Sequence, residues 1–285
     1  MSAAALEISS PVGLIAGGGV MPFAVADSLK ARGLDPVIFA LKGVCDPKAT
    51  QRFRHHWIAV GQIGRVTKLL RAENCKNLVF IGSLVRPALS EIRLDWGTLR
   101  VIGGIWAAFR GGDDHLLSGI AGIFERKGFR LLGLKEVAPD LLMPRGCVTR
   151  KVPDQNALDD ISKGEDVLRA LGPFDIGQGV VVIDGHVVGV EGIEGTDELL
   201  ARIATLRKGG RIRASQGRGV LVKAPKLHQD LRLDLPTIGP RTIEGVAAAA
   251  LAGVAVTAGN TAVADAQAMI EAADRAGLFA IGQPS

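Results

Sequence analysis

Val12-Gly-Leu-Ile-Ala16-Gly17-Gly18-Gly19-Val20-Met21-Pro22 is the stretch that decides the fold of the first half of the chain. Its apolar run predicts a buried strand, its glycines predict a loop, and Pro22 fits the first turn of a helix that continues through Lys30. A strand, a glycine loop and a helix in this order present backbone N–H groups to a phosphate. We therefore expect an α/β fold whose N-terminal domain is a Rossmann-like open sheet.

The glycine loop does not complete a dinucleotide-binding fingerprint. Pro22 stands in place of the third glycine, and the second predicted strand, residues 36–40, runs into Leu41 and Lys42 rather than an acid. This excludes NAD. We interpret Gly17, Gly18 and Gly19 as a turn that binds a phosphate or a sugar; the alternative is a tight turn that only closes a βαβ unit.

Two further segments of the first half carry candidate ligand contacts. Ser83 and Arg86 follow the predicted strand 78–81, at the end of the sheet where α/β proteins bind ligands. Arg86 is equally suited to capping a neighbouring helix. Asp113 opens a predicted helix after two glycines, so it is either an N-cap or a functional carboxylate. Residues 131–137 are predicted to form one more strand.

A change in composition divides the chain. We predict an N-terminal domain over 1–143, a linker over 144–156 and a C-terminal catalytic α/β domain with a mixed sheet over 157–285. Asp184-Gly185 between two apolar runs predicts a hairpin. The stretch 191–197 then lies where a strand ends and a helix over 198–208 begins, and Thr196 or Asp197 would cap that helix.

The segment from Lys223 to Gly239 concentrates charged and polar side chains. If residues 230–235 are extended, Asp230, Arg232 and Asp234 share one face, because side chains alternate along a strand. Carboxylates hold Mg²⁺, and cationic side chains hold phosphate oxygens. The alternative is a solvated edge strand with surface ion pairs, but Lys223 and nearby Lys226 favour a phosphate site.

Composition limits the classes of function. The chain has 285 residues, a net charge of +5 and only 4% aromatic residues, with no tyrosine. Diffuse basicity without stacking aromatics argues against a nucleic-acid partner and fits an anionic small ligand or an anionic membrane face. The three cysteines are far apart and predict free thiols in a reducing compartment. Because we find no signal peptide and no membrane-spanning run, we expect a cytoplasmic protein.

Six short motifs occur in order: Gly-Leu-Ile-Ala-Gly-Gly-Gly (13–19), Ile-Gly-Ser-Leu-Val-Arg-Pro (81–87), Gly-Asp-Asp-His-Leu-Leu (112–117), Asp-Ile-Gly-Gln (175–178), Val-Glu-Gly-Ile-Glu-Gly-Thr-Asp (190–197) and Gln-Asp-Leu-Arg-Leu-Asp-Leu-Pro (229–236). Together they resemble one family, the LpxI family of UDP-2,3-diacylglucosamine pyrophosphatases of lipid A synthesis. Each motif alone is short; together they span nearly the whole chain.

The resemblance implies Mg²⁺-dependent hydrolysis of a lipid-linked UDP-sugar, with the substrate held between two domains. From the resemblance and the charge pattern we expect Asp230, Asp234 and Lys223 to be catalytic, and Asp230, Asp234 and Glu191 to hold the metal. The expected substrate contacts are Gly17, Gly18, Gly19, Ser83, Arg86, Asp113, Gln178, Glu194, Gly195, Thr196, Lys226, Gln229 and Arg232. We also expect a homodimer in transient contact with the inner membrane surface. The rival functions are a nucleotide-sugar phosphotransferase and a non-catalytic nucleotide-binding regulator.

Overall fold

A computed structural model describes residues 8–83, 95, 113–226 and 229–284, with residues 113–116 described only as helical backbone. The chain divides into two compact units. The first comprises residues 1–140 together with Arg232–Asp234, and the second comprises Leu141–Leu231 and Leu235–Ser285. Each unit contains its own sheet.

The first unit alternates strands and helices. Its strands are β1 (Val12–Ala16), β2 (Pro36–Leu41), β3 (His55–Ile58), β4 (Asn77–Ile81) and β5 (Arg130–Leu131). Its helices, in the described residues, are α1 (Met21–Ala31), α2 (Pro47–Thr50), α3 (Ile63–Ala72), α4 (Asp113–Arg126) and α5 (Leu134–Val137). The strand, glycine loop and helix predicted at the start of the chain are therefore confirmed.

The first sheet is parallel, with strand order β3-β2-β1-β4-β5. This is the Rossmann-like open sheet expected from the sequence. Its chain order reverses between β1 and β4, and ligands of open α/β sheets bind at such a switch point. One face of the sheet is buried by α3 and α4, which contribute Leu70 and Phe124 to a core that includes Phe39.

One strand prediction in this unit is wrong. Residues 131–137 form a strand only as far as Leu131, and α5 begins at Leu134. The Glu136 carboxylate accepts a hydrogen bond of 2.7 Å from the Gly133 backbone N–H, so it caps the short helix from within its first turn. This local contact outweighs the apolar character of the run.

The second unit contains a larger sheet. Its strands are β6 (Gly146–Cys147), β7 (Gly179–Ile183), β8 (His186–Val190), β9 (Val220–Lys223), β10 (Thr237–Ile238), β11 (Gly253–Thr257), β12 (Ala262–Val263) and β13 (Phe279–Gln283). Its helices, in the described residues, are α6 (Gln155–Leu171), α7 (Gly195–Lys208), α8 (Pro240–Ala248) and α9 (Ala266–Ala276).

The second sheet is mixed, as the sequence predicts, with order β6-β13-β11-β9-β7-β8. Strands β9, β11 and β13 are parallel, whereas β7 runs antiparallel to both β9 and β8. Successive side chains alternate between faces. Val181 and Leu221 pack in a core with α7, α8 and α9, whereas Val180 and Val222 pack in a core with α6. Strands β10 and β12 form a separate parallel pair.

The predicted hairpin between β7 and β8 is confirmed, and both of its turn residues have positive φ, 48° at Asp184 and 75° at Gly185. The stretch 144–156 was predicted to be a linker, but Gly146 and Cys147 pair with β13 as an edge strand. Its polar composition reflects an exposed edge of the sheet.

Candidate functional site

In the first unit, the glycine loop packs closely on the segment that follows β4. Gly18 and Ser83 exchange two backbone hydrogen bonds, of 2.8 and 3.0 Å, and the Gly17 N–H donates to the Ile81 carbonyl. A Cβ at Gly17 would lie 2.4 Å from the Ser83 carbonyl oxygen, so only glycine fits there. The structure therefore brings the predicted loop and Ser83 together at the switch point of the sheet.

The three glycines of the loop differ in their backbone contacts. The N–H groups of Gly17 and Gly18 donate to backbone carbonyls, so a ligand here would contact other atoms of the loop. Gly19 differs, because it has a φ of 86° and open space where a Cβ would be. Predicted residue Arg86 and the side chain of Asp113 lie outside the described residues.

In the second unit, several predicted residues meet at one end of the sheet. Lys223 ends β9, Glu191 follows β8, and Thr196 lies in the first turn of α7. Because β7 runs antiparallel to β9, Gly179 at the start of β7 is the register partner of Lys223. Topology thus gathers residues that are far apart in sequence.

Three of these side chains form a connected chain of hydrogen bonds. The Lys223 ammonium donates to the Thr196 hydroxyl over 2.6 Å, and that hydroxyl donates to Glu191 Oε1 over 2.9 Å. Lys223 is only 6% exposed. Within the described residues, Glu191 Oε2 is buried and has no hydrogen-bond partner. The arrangement combines a buried cation with an incompletely satisfied carboxylate. The prediction that Thr196 or Asp197 caps α7 is wrong, because no side chain forms a capping hydrogen bond at the N-terminus of this helix.

Two glycines provide the room for Glu191. A Cβ at Gly177 would lie 2.0 Å from the Glu191 backbone oxygen, and a Cβ at Gly179 would lie 2.5 Å from Glu191 Oε2. Between them, the Gln178 carbonyl accepts a hydrogen bond from the Ala224 N–H. The Gly-Gln-Gly stretch therefore holds the start of β7 against the segments that follow both β8 and β9.

The loop after β9 is fixed by a second lysine. The Lys226 ammonium forms an ion pair with Asp175, and the Lys226 N–H donates to Gln229 Oε1 over 3.1 Å. Asp175 opens the Asp-Ile-Gly-Gln motif but is not among the predicted site residues. Its positive φ of 57° marks it as a turn residue, but only the fold brings it to Lys226.

Glu194 and Gly195, predicted substrate contacts, lie where α7 begins. Glu194 forms an ion pair of 3.2 Å with Arg202 within this helical segment. Gly195 has a φ of 81° and open space at its Cβ position, so the chain bends sharply there.

The prediction of an extended strand over 230–235 is wrong. Residues 231–233 form a turn, so alternation does not place Asp230, Arg232 and Asp234 on one strand face. Arg232 forms an ion pair of 2.9 Å with Glu125, and Leu233 packs against the apolar core of the first unit. These contacts explain why an alternating pattern adopts a turn here. In the described part of the chain, no three acidic, histidine or cysteine side chains cluster closely enough to form a metal site.

Comparison with known proteins supplies the family. Residues 11–141 match the LpxI N-terminal domain, and residues 144–281 match the LpxI C-terminal domain. The chain belongs to the LpxI family. It is 42% identical over 271 residues to the UDP-2,3-diacylglucosamine pyrophosphatase LpxI of Caulobacter vibrioides (strain ATCC 19089 / CIP 103742 / CB 15), covering 95% of this chain and 96% of that protein. The similarity to this LpxI protein therefore includes both units.

Proposed function

We propose that this chain hydrolyses the pyrophosphate bond of UDP-2,3-diacylglucosamine, giving 2,3-diacylglucosamine 1-phosphate and UMP. The observation that carries the proposal is the near full-length similarity to an LpxI pyrophosphatase, at 42% identity. The chain is thus a hydrolase that acts on a phosphorus-containing anhydride and belongs to lipid A biosynthesis.

The lysines of the second unit suit this chemistry. A pyrophosphate repels an incoming nucleophile, and a cation beside it stabilises the charge that builds up in the transition state. Lys223 is buried and held by Thr196, so its ammonium is oriented before substrate binds. We assign Lys223 to the phosphate oxygens, with Lys226 as a second cationic contact.

The acidic residues fit a magnesium ion by their chemistry. Glu191 has a buried carboxylate oxygen for which the described residues supply no partner. Mg²⁺ usually keeps several waters and is bound by one or two carboxylates plus substrate phosphates, so it does not require a cluster of three acids. We propose Asp230 as metal ligand or general base, with Asp234 and Glu191 as alternatives for a further carboxylate ligand. The ion would neutralise phosphate charge and lower the pKa of a bound water.

The remaining contacts stay assigned to the substrate as proposals. They are Gly17, Gly18, Gly19, Ser83, Arg86, Asp113, Gln178, Glu194, Gly195, Thr196, Gln229 and Arg232. Of these, Arg232 also forms an ion pair with Glu125, in which both side chains are exposed and which therefore contributes little to stability.

The direct test is release of UMP from UDP-2,3-diacylglucosamine by the purified protein with Mg²⁺. We expect turnover with water alone, and loss of about 100-fold or more in the Asp230→Ala variant. The matched control is Asp166→Ala, which removes an exposed carboxylate paired with Arg169 on α6. Turnover that requires an added acceptor would indicate a phosphotransferase, and binding without turnover would indicate a regulator.

We also propose that the enzyme acts in the cytoplasm as a homodimer and makes transient contact with the inner membrane surface. No helix in the described residues has both the length and the apolar character needed to cross a bilayer. Phe174, at the end of a short 3-10 helix before β7, and Ile193, on the loop after β8, are 72% and 108% exposed and offer apolar surface to lipid. Light scattering tests the dimer. Co-sedimentation with anionic lipid vesicles tests the membrane contact. We expect the double variant Phe174→Ser, Ile193→Ser to sediment less than wild type, and equal sedimentation of the two proteins would contradict a contact through these side chains.

A further inference from the structure

The chain of hydrogen bonds in the second unit has a fixed direction. A lysine ammonium only donates, so the Thr196 hydroxyl must accept from Lys223. The hydroxyl has a single hydrogen, which then goes to Glu191 Oε1 at 2.9 Å. If the Thr196 hydroxyl pointed its hydrogen at Lys223 instead, two hydrogen-bond donors would face each other.

This direction limits what Thr196 does. Phosphate oxygens accept hydrogen bonds, and the one hydrogen of the Thr196 hydroxyl is already directed to Glu191. Thr196 is therefore not arranged to bind a phosphate oxygen. It is arranged to hold the ammonium of Lys223, whose side chain is almost fully buried and so depends on polar partners.

The position of the Thr196 hydroxyl at the start of a helix explains why its hydrogen bond goes to a carboxylate. Thr196 lies in the first turn of α7, where the helix dipole is positive and opposes a nearby ammonium. Glu191 supplies negative charge at this point and orients the hydroxyl, so that a lone pair of Thr196 faces Lys223. The absence of a side chain at Gly179 leaves the space that this carboxylate occupies.

We infer that Thr196 is a positioning residue, which, oriented by Glu191, aims the Lys223 ammonium at the substrate phosphates. The inference rests on the proposed function and goes beyond it, because it reassigns Thr196 from substrate contact to support of Lys223. Thr196 acts through Lys223 alone, so its contribution disappears when Lys223 is absent.

A double-mutant cycle tests this coupling. Thr196→Val keeps the shape of the side chain and removes the hydroxyl, whereas Thr196→Ser keeps the hydroxyl. We expect Thr196→Val to lower kcat/KM for UMP release about 10-fold or more, and Thr196→Ser to stay within about twofold of wild type. In a Lys223→Met background, Thr196→Val should change kcat/KM by less than about twofold.

The same cycle is measured by calorimetry with UDP as the probe. We expect Thr196→Val to bind UDP more weakly than wild type. In the Lys223→Met background, adding Thr196→Val should leave the UDP affinity unchanged. Equal losses with and without Lys223, or a Thr196→Ser variant as impaired as Thr196→Val, would overturn the inference. Circular dichroism checks folding, and Thr196→Ala replaces Thr196→Val if the latter does not fold. A wild-type protein that releases no UMP refutes the proposed function instead, and the calorimetric cycle then still tests the coupling.

Discussion

Gly179 lies so close to the Glu191 carboxylate that a Cβ at position 179 would stand 2.5 Å from Glu191 Oε2. The glycine is the register partner of Lys223, so this contact lies at the centre of the candidate site of the second unit. Its consequence is that a single methyl group displaces the carboxylate that orients Thr196.

Gly179→Ala is therefore expected to lower kcat/KM for UMP release about 10- to 100-fold, since a displacement of about 1 Å at a catalytic site has effects of this size. The measurement is steady-state hydrolysis of UDP-2,3-diacylglucosamine. Gly209→Ala is the control, because a Cβ there meets its nearest atom, the Thr205 carbonyl oxygen, at an ordinary 3.5 Å. If both variants keep wild-type activity, the close contact has no role in catalysis.

Lys226→Met is expected to weaken UDP binding about 10-fold, because a hydrogen bond to a charged phosphate contributes on the order of 1.5–3 kcal/mol. Isothermal titration calorimetry measures this directly. Lys163→Met is the matched control, since Lys163 is exposed and donates to the Gly185 carbonyl in the hairpin between β7 and β8. Equal affinity in the Lys226 and Lys163 variants would remove Lys226 from the phosphate contacts.

Asp160→Ala is expected to destabilise the second unit by about 2–4 kcal/mol without removing catalytic groups. Asp160 is 2% exposed, and its carboxylate accepts hydrogen bonds of 3.1 and 2.7 Å from the N–H groups of Asp184 and Gly185. Denaturant unfolding measures the loss. Asp166→Ala, on an exposed face of α6, should cost less than about 1 kcal/mol. If Asp160→Ala lowers the free energy of unfolding by no more than Asp166→Ala does, the hairpin does not depend on the Asp160 carboxylate.

Alkaline pH is expected to destabilise the first unit through Cys75. Burial, aided by the charge of Glu73, raises the pKa of this thiol from 9.0 to about 11. Between these values the folded state holds a proton that the unfolded state has released, so stability falls as pH rises from 9 towards 11 and is unaffected by this group below pH 9. Unfolding free energies across this range should fall more steeply in wild type than in Cys75→Ala. Parallel curves would contradict the assignment.

Local patterns in the sequence predicted the elements that local contacts stabilise. The apolar run before Gly17 forms β1, the segment from Met21 through Lys30 forms α1, and Asp184-Gly185 forms the hairpin. In each case the periodicity or the turn residue lies within the element itself, so no distant contact is needed to specify it.

The predictions that failed depended on contacts from elsewhere in the chain or on a competing local cap. The alternating residues 230–235 would suit a strand, but Arg232 and Leu233 gain an ion pair with Glu125 and burial in the first core. Residues 134–137 became a helical turn because Glu136 caps it. Neither outcome follows from polarity alone.

The sequence by itself determined an α/β protein with a parallel and a mixed sheet, the glycine loop, and the residue types that a pyrophosphatase requires. Only the tertiary structure decided that Lys223 is held by Thr196, and Thr196 by Glu191. The reason is physical: these residues follow separate elements, and they meet only because β7, β8 and β9 pair in one register. Hydrogen bonds of this kind depend on distances of about 3 Å, which the spacing of residues along a chain does not encode.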